Sequence, residues 1–311
     1  LEKRITQFVS QPLPLGIFEK NTHDKRLPLA KRVNMRYYKA LWVVACTSLF
    51  IACRKDHNPI HHNPPPAPEK KILLKDITIP HLPSPYYHFE YNSDSLVSKA
   101  DFASGYTIYD VIYNGNKISE MRNNILVNHD TLRYVYDNAG KVVMLKFIHQ
   151  SNVLYRLVFF TYQGNLVTKI EWDQKEGTVG YWVDRTLTFI YHPDGNVKTI
   201  TERRPAHDGI EEYNSITQFD QYDDKINVDD FSLIHDGIHD HLFLLQGFRL
   251  QKNNPGKETF SAAVGQTAYT VNYTYTYNAD NTPLSKLGDL LFTDGGDAGK
   301  KFQTSTFYTY Y

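Results

Sequence analysis

From Ala268 to Tyr277 the chain alternates strictly. Tyr269, Val271, Tyr273, Tyr275 and Tyr277 fall on one side, and Thr270, Asn272, Thr274 and Thr276 on the other. A period of two is the signature of a strand with one covered face. The same period joins Leu187, Phe189 and Tyr191, and it joins Leu166, Thr168, Ile170 and Trp172. These runs end in polar turns, and the turns recur. "YNSDSLVSK" at Tyr91, "YNGNKISEM" at Tyr113, "YDNAGKVVML" at Tyr136, "YQGNLVTKI" at Tyr162, "YHPDGNVKTI" at Tyr191, "YDDKINVDD" at Tyr222 and "YNADNTPLSK" at Tyr277 share a tyrosine, a polar turn and then an aliphatic residue.

Consecutive tyrosines stand 22, 23, 26, 29, 31 and 55 residues apart. Asn, Asp and Gly admit the left-handed backbone that tight turns need, so each copy predicts a β-hairpin. The expectation is an all-β protein: an antiparallel meander of tandem hairpins, about 14 to 16 strands, over residues 85–311. Strand twist of roughly 20 to 25° per neighbour accumulates across so wide a sheet, which must curl into a half-pipe or a wide barrel. The rhythm breaks at Val228 to Ala268. There Phe231, Ile234, Ile238, Leu242 and Leu245 recur at three and four residues, which predicts one short helical insertion near 228–246, capping an open end of the sheet.

The amino-terminal part follows another pattern. A charged run, Arg36 to Lys39, precedes an apolar core from Ala40 to Ala52 that Arg54, Lys55 and Asp56 terminate. About 13 residues are too few to span a bilayer, which takes roughly 20, so 35–52 reads as a secretory signal. Residues 1–34 read as an extension upstream of Met35, either mis-translated or disordered. Residues 53–84, with Pro64, Pro65, Pro66 and Pro68, read as a semi-rigid tether, in which His57, His61 and His62 are solvated.

The stretch Leu49-Phe50-Ile51-Ala52-Cys53 resembles a bacterial lipobox, which implies cleavage before Cys53 and acyl chains on its sulfur and amine. Arg54-Lys55-Asp56 resembles the surface-export signals of Bacteroidetes-type lipoproteins. The hairpin series resembles the tyrosine-aspartate (YD) repeats of Rhs-type toxin shells. More closely it resembles uncharacterised Bacteroidetes lipoproteins of porin-like fold, whose Lys-Asn-Asn-Pro element recurs here at Lys252 to Pro255. These resemblances imply an outer-membrane location, lipid-anchored and surface-facing, with a periplasm-facing arrangement as the alternative. They bring no established activity.

Composition narrows the chemistry further. The 34 Lys and Arg balance 34 Asp and Glu, so no net field draws the chain to nucleic acid. Both cysteines, Cys46 and Cys53, lie in the signal region, leaving no thiol-based metal site or disulfide beyond it. In "HDGIHDH", His235, His239 and His241 are candidate metal ligands, though without the glutamate of a zinc-hydrolase helix. "GGDAGKK" at Gly295 lacks the spacing of a phosphate loop and reads as a turn. The aromatic face offers Trp172, Trp182, Tyr273 and Tyr275 as rings able to stack on a glycan or an envelope protein. The function expected is a non-catalytic binding or scaffold module held at the membrane by its lipid. A metal-dependent enzyme using the His235 to His241 cluster is the alternative, and an outer-membrane barrel the third reading, disfavoured by Lys169, Glu171, Lys198 and Glu202 on the strands.

Overall fold

The computed structural model describes residues 71–177, 180–235, 242–245, 248–262 and 268–311. The extension, the signal, Cys53, the linker histidines and most of the tether lie outside the described residues, as do His239 and His241. Sixteen strands follow one another: β1 (Leu74–Thr78), β2 (Tyr87–Tyr91), β3 (Val97–Phe102), β4 (Thr107–Asn114), β5 (Lys117–Asn123), β6 (Thr131–Tyr136), β7 (Val142–Ile148) and β8 (Leu154–Gln163). They continue as β9 (Leu166–Glu176), β10 (Gly180–Tyr191), β11 (Val197–Arg204), β12 (Tyr213–Asp220), β13 (Lys257–Ala262), β14 (Ala268–Tyr277), β15 (Pro283–Asp294) and β16 (Lys301–Tyr310). Each pairs antiparallel with the next, and β1 pairs with β16, so the sheet is a closed barrel. The barrel begins at Leu74 rather than at 85: β1, expected to be tether, is the strand that closes it.

All the tyrosine turns lie at one end of the barrel, because every odd strand leaves it and every even strand returns. Four of them, at 92–96, 137–141, 192–196 and 278–282, share one hydrogen-bonding scheme. Its fourth residue has positive φ: Ser95 (60°), Gly140 (84°), Gly195 (87°) and Asn281 (62°). Where the repeat lacks its glycine, serine or asparagine accepts the left-handed conformation instead.

The repeat's tyrosine and aliphatic residue have linked roles. Except for Tyr222, which the insertion follows, each tyrosine pairs across its own hairpin, with the aliphatic residue in Tyr113↔Ile118, Tyr136↔Val142, Tyr162↔Val167 and Tyr191↔Val197. Except at Tyr277, whose hydroxyl donates to the Asp223 carboxylate, the tyrosine hydroxyl donates to a strand carbonyl one repeat earlier. Tyr113 reaches Val97 at 2.8 Å, Tyr136 reaches Ile118 at 2.6 Å, Tyr162 reaches Val142 at 2.7 Å, Tyr191 reaches Val167 at 2.7 Å and Tyr222 reaches Val197 at 2.6 Å. Tyr91 makes the same bond to Leu74 in β1, and Tyr310 to Pro283. Neighbouring hairpins are thereby stapled, at about 1 kcal/mol each by the ordinary net value of such a bond. Burial raises these phenols; those of Tyr113 and Tyr136 are pushed up to about 12, so they stay protonated donors.

A register shift follows each aliphatic residue, inserting one unpaired residue such as Ser119, Val143 or Thr168. This bulge overturns one detail of the alternation. Val167, not Leu166 or Thr168, turns inward with Ile170 and Trp172. Elsewhere the expected faces hold: Leu187 and Phe189 are buried while Thr188 and Ile190 are exposed.

The segment between β12 and β13 is not one helix capping an end. Its described residues form two 3-10 turns, Asp230–Ile234 and Leu242–Leu245, and the backbone leaves the helical region at His235 (φ −58°, ψ 117°). Its contacts reach all round the barrel. Phe231 meets Tyr87 and Phe89 on β2, and the Tyr134 hydroxyl of β6 donates to the Phe243 carbonyl at 3.0 Å. Phe243 packs on Phe160 of β8 and Trp172 of β9, Arg185 of β10 donates to the Ile234 carbonyl, and Tyr308 of β16 donates to Asp229. A segment can touch strands on opposite sides of a closed wall only from within, so it plugs the lumen. Phe231, Ile234, Leu242, Phe243, Phe248 and Leu250 join the inward residues of the strands in one core.

The Lys252-Asn253-Asn254-Pro255 element ties the plug's return to the tyrosine turns. The Lys252 and Asn253 amides donate to Asn196 Oδ1 at 2.8 and 3.0 Å, the Asn254 amide donates to Asp223 Oδ1 at 3.0 Å, and Lys252 Nζ reaches the Asp194 carbonyl at 2.7 Å. Its role here is mechanical.

Candidate functional site

The plug fills the lumen unevenly. Against β6 to β9 its contact is mainly apolar; a cavity of about 290 Å³ opens between β1 to β3 and Asn227, Asp230, Phe231 and Phe248, and against β10 to β15 it leaves one of about 340 Å³. Strand alternation sends Arg185, Leu187, Ile200, Glu202, Ser215, Thr217, Glu258, Tyr273 and Lys286 into that space, and Ser232 to His235 of the plug form its opposite wall. Most of the polar groups are already partnered. Arg185 grips Glu202 through two bonds of 3.0 and 3.1 Å, and Arg204 adds a third at 2.6 Å. Lys286 Nζ lies 3.0 Å from Asp229 Oδ2 and 5.6 Å from the Tyr273 ring centroid. The Glu258 carboxylate has tyrosines instead: Tyr269 donates at 3.2 Å and Tyr273 at 2.7 Å. Burial, then the Glu258 charge, raises both phenols well above their usual range.

Tyr273 is placed by its cross-strand neighbour Gly288. A Cβ at Gly288 would sit 2.6 Å from Thr304 Oγ1 and 3.0 Å from the Tyr273 ring, so any side chain there would push the ring off the wall. Toward the end opposite the tyrosine turns, Phe260 stacks on Tyr269 at 4.8 Å. Tyr269 meets Phe292 edge-on at 5.9 Å, and Phe292 meets Phe302 at 5.8 Å. Four consecutive strands thus line one side of the lumen with aromatic rings. Phe302 remains 40% exposed, which leaves part of that wall open to a ligand.

The expected site residues separate. Tyr273 lines the chamber, and Tyr275 lies beneath it, its hydroxyl donating to the Pro255 carbonyl at 3.2 Å. Trp172, a candidate stacking ring, is fully buried, because Phe243 covers it and the Arg185 guanidinium lies 4.9 Å over its ring. Trp182 sits near the rim, stacked on His207 at 3.7 Å. His235 reaches the chamber, with Nε2 3.3 Å from the Tyr86 hydroxyl, but His239 and His241 fall outside the described residues. Among the described residues one group of three could share a metal ion, Glu176, His207 and Asp208.

Sequence reading missed Arg185, Glu202, Glu258, Lys286 and the Phe260 to Phe302 wall. Glu202, counted against a membrane-spanning wall, pairs with the inward Leu187 and points into the lumen instead. The available signal was parity: Glu258 and Phe260 share a strand face, as do Lys286, Gly288 and Phe292.

No protein-family model and no curated protein matches the chain. The fold has solved counterparts. A porin-like protein from Bacteroides vulgatus superposes with a TM-score of 0.53 at 16% identity, covering 77% of this chain and 99% of that one. A porin-like protein from Bacteroides uniformis gives 0.51 at 14% identity, over 72% and 89%. The match to a chain of a TcdB2-TccC3-Cdc42 complex has a TM-score of 0.30 and covers 11% of that chain, too little to carry the YD-repeat kinship.

Proposed function

We propose that this chain is a non-catalytic binding barrel of the cell envelope, whose lumenal chamber takes a small, neutral, polyhydroxylated ligand such as one or two sugar units. The observation that carries the reading is the pairing of two features on one stretch of wall. Polar groups whose charges are already balanced can share hydrogen bonds with hydroxyls, and an aromatic row beside them offers faces for C–H groups. Among the described residues a charged ligand would meet no unbalanced partner except Glu258. The cavity of about 340 Å³ lies at the small end of ligand pockets, which run from roughly 300 to 1,000 Å³.

The plug argues against solute conduction, and the porin-like description of the solved counterparts supports an envelope setting. The outer wall supports water rather than lipid around the strands. Arg122 and Arg133 flank Glu120 at 2.7 and 2.8 Å and hold its carboxyl below the usual range, and Lys169 pairs with Glu171 at 3.1 Å. Membrane attachment then falls to acyl chains on Cys53, each buried methylene contributing about 0.8 kcal/mol. The surface-facing orientation follows from Arg54, Lys55 and Asp56 on the same reading.

Calorimetric titration of the chain with a panel of mono- and disaccharides tests the chamber. At least one should bind saturably, with binding lost in Glu258→Gln and weakened in Tyr269→Ala. A panel without any response removes the sugar reading.

A further inference from the structure

A second group of chemistry-bearing residues lies outside the chamber. Glu176 is the last residue of β9, and His207 and Asp208 lie in the loop joining β11 to β12, where His207 bridges to Ile210. Both positions are at the end of the barrel away from the tyrosine turns, and β10 runs between them. One ligand atom from each of the three side chains falls within 4.8 Å of the others, and His207 Nε2 lies 3.3 Å from Asp208 Oδ2. From β10 the Trp182 indole lies flat against the His207 imidazole, centroids 3.7 Å apart and planes 11° from parallel.

We propose that Glu176, His207 and Asp208 form a zinc-type divalent cation site that cross-links β9 to the β11–β12 loop over the top of β10. The donor set selects the metal class. One imidazole and two carboxylates suit Zn²⁺ and its first-row neighbours, whereas Ca²⁺ and Mg²⁺ seek shells of oxygen alone. Three protein ligands leave one position for water, the arrangement of an exchangeable site. Two carboxylates converging on the imidazole supply the charge for a dication, and the stacked indole limits the freedom the imidazole loses on binding. Trp182 acquires a role on this view: it holds the ligating ring and reports on it.

The test is calorimetric titration of the full chain with zinc chloride near neutral pH, run in parallel with His207→Ala, Glu176→Gln and His235→Gln. Cobalt(II) quenching of tryptophan emission is followed in the same proteins and in Trp182→Phe. The site predicts that His207→Ala removes one zinc equivalent and that Glu176→Gln weakens that equivalent about tenfold or more. His235→Gln leaves it intact, and cobalt quenching disappears in both His207→Ala and Trp182→Phe. Zinc binding that is identical in wild type and His207→Ala would overturn the proposal, as would a wild-type chain that binds no zinc saturably. Because the three ligands are surface groups, an unchanged melting temperature of the metal-free variants separates loss of a ligand from loss of fold.

Discussion

The two sides of the lumen are built from the same hairpin repeat yet finished differently. On β2 to β9 the inward positions carry Phe89, Met121, Leu145, Val158 and Trp172, and the plug answers with Phe231, Phe243 and Phe248. On β10 to β15 they carry Arg185, Glu202, Ser215, Glu258 and Lys286, and the plug offers Ser232 and His235. The tyrosine staples and bulges that shape the wall occur on both sides, so the repeat specifies the barrel and leaves the inward residues free to vary. The β6 to β9 wall holds the plug through apolar rings; the β10 to β15 wall is left hollow beside it, with polar groups facing the space.

That contrast can be broken first at the plug's rings. Phe243→Ala should cost about 3 to 5 kcal/mol in urea denaturation, since it opens a cavity between Trp172, Phe160 and Phe248. Phe260→Ala, on a half-buried ring beside the chamber, should cost far less and instead weaken ligand binding. Equal losses for the two would erase the distinction between a sealed and a hollow side.

A smaller effect, of up to about 3 kcal/mol, is expected from Asp230, whose carboxyl burial pushes up to about 6. It accepts the Leu250 and Gln251 amides at 2.8 and 3.4 Å and helps fold the plug on itself. Below about pH 3 this group is protonated in both folded and unfolded chains. As pH rises toward 6 the unfolded chain ionises first, so stability falls across that window. Asp230→Asn should flatten the pH dependence of the urea midpoint there. A slope unchanged by the substitution would show that the carboxyl does not titrate in the buried environment described.

The smallest effect belongs to what the two sides share. Tyr162→Phe and Tyr191→Phe each remove one staple hydroxyl and should each cost about 1 kcal/mol, alike on either side of the lumen. A neutral result for one and a large loss for the other would mean that the staples are not equivalent.

Much of the wall was legible in the sequence. The seven tyrosines fixed the hairpin count to within the expected range, and alternation placed Tyr269, Val271, Tyr273, Tyr275 and Tyr277 together. The repeat's bulge was invisible because Thr168 looks like any strand residue, and so Leu166 was placed on the wrong face. Strand β1 was hidden behind a proline-rich segment, since its partner β16 is more than 220 residues away. The plug misled for a physical reason: apolar residues at three and four predict a helical stripe, while two short 3-10 turns bury Phe231, Ile234 and Leu242 equally well. The chamber was out of reach because its members come from six strands and a loop, and charged residues on strands are ordinarily read as outward.

The central claim is that the insertion seals the lumen over Trp172 while leaving the β10 to β15 side open. Acrylamide quenching of a Trp42→Phe, Trp182→Phe variant, in which Trp172 is the sole indole, tests it most directly. The account predicts blue-shifted emission shielded from acrylamide until the barrel unfolds, and quenchable once Phe243→Ala is added. Solvent-like emission that acrylamide quenches in the folded protein would mean an open lumen and contradict the account.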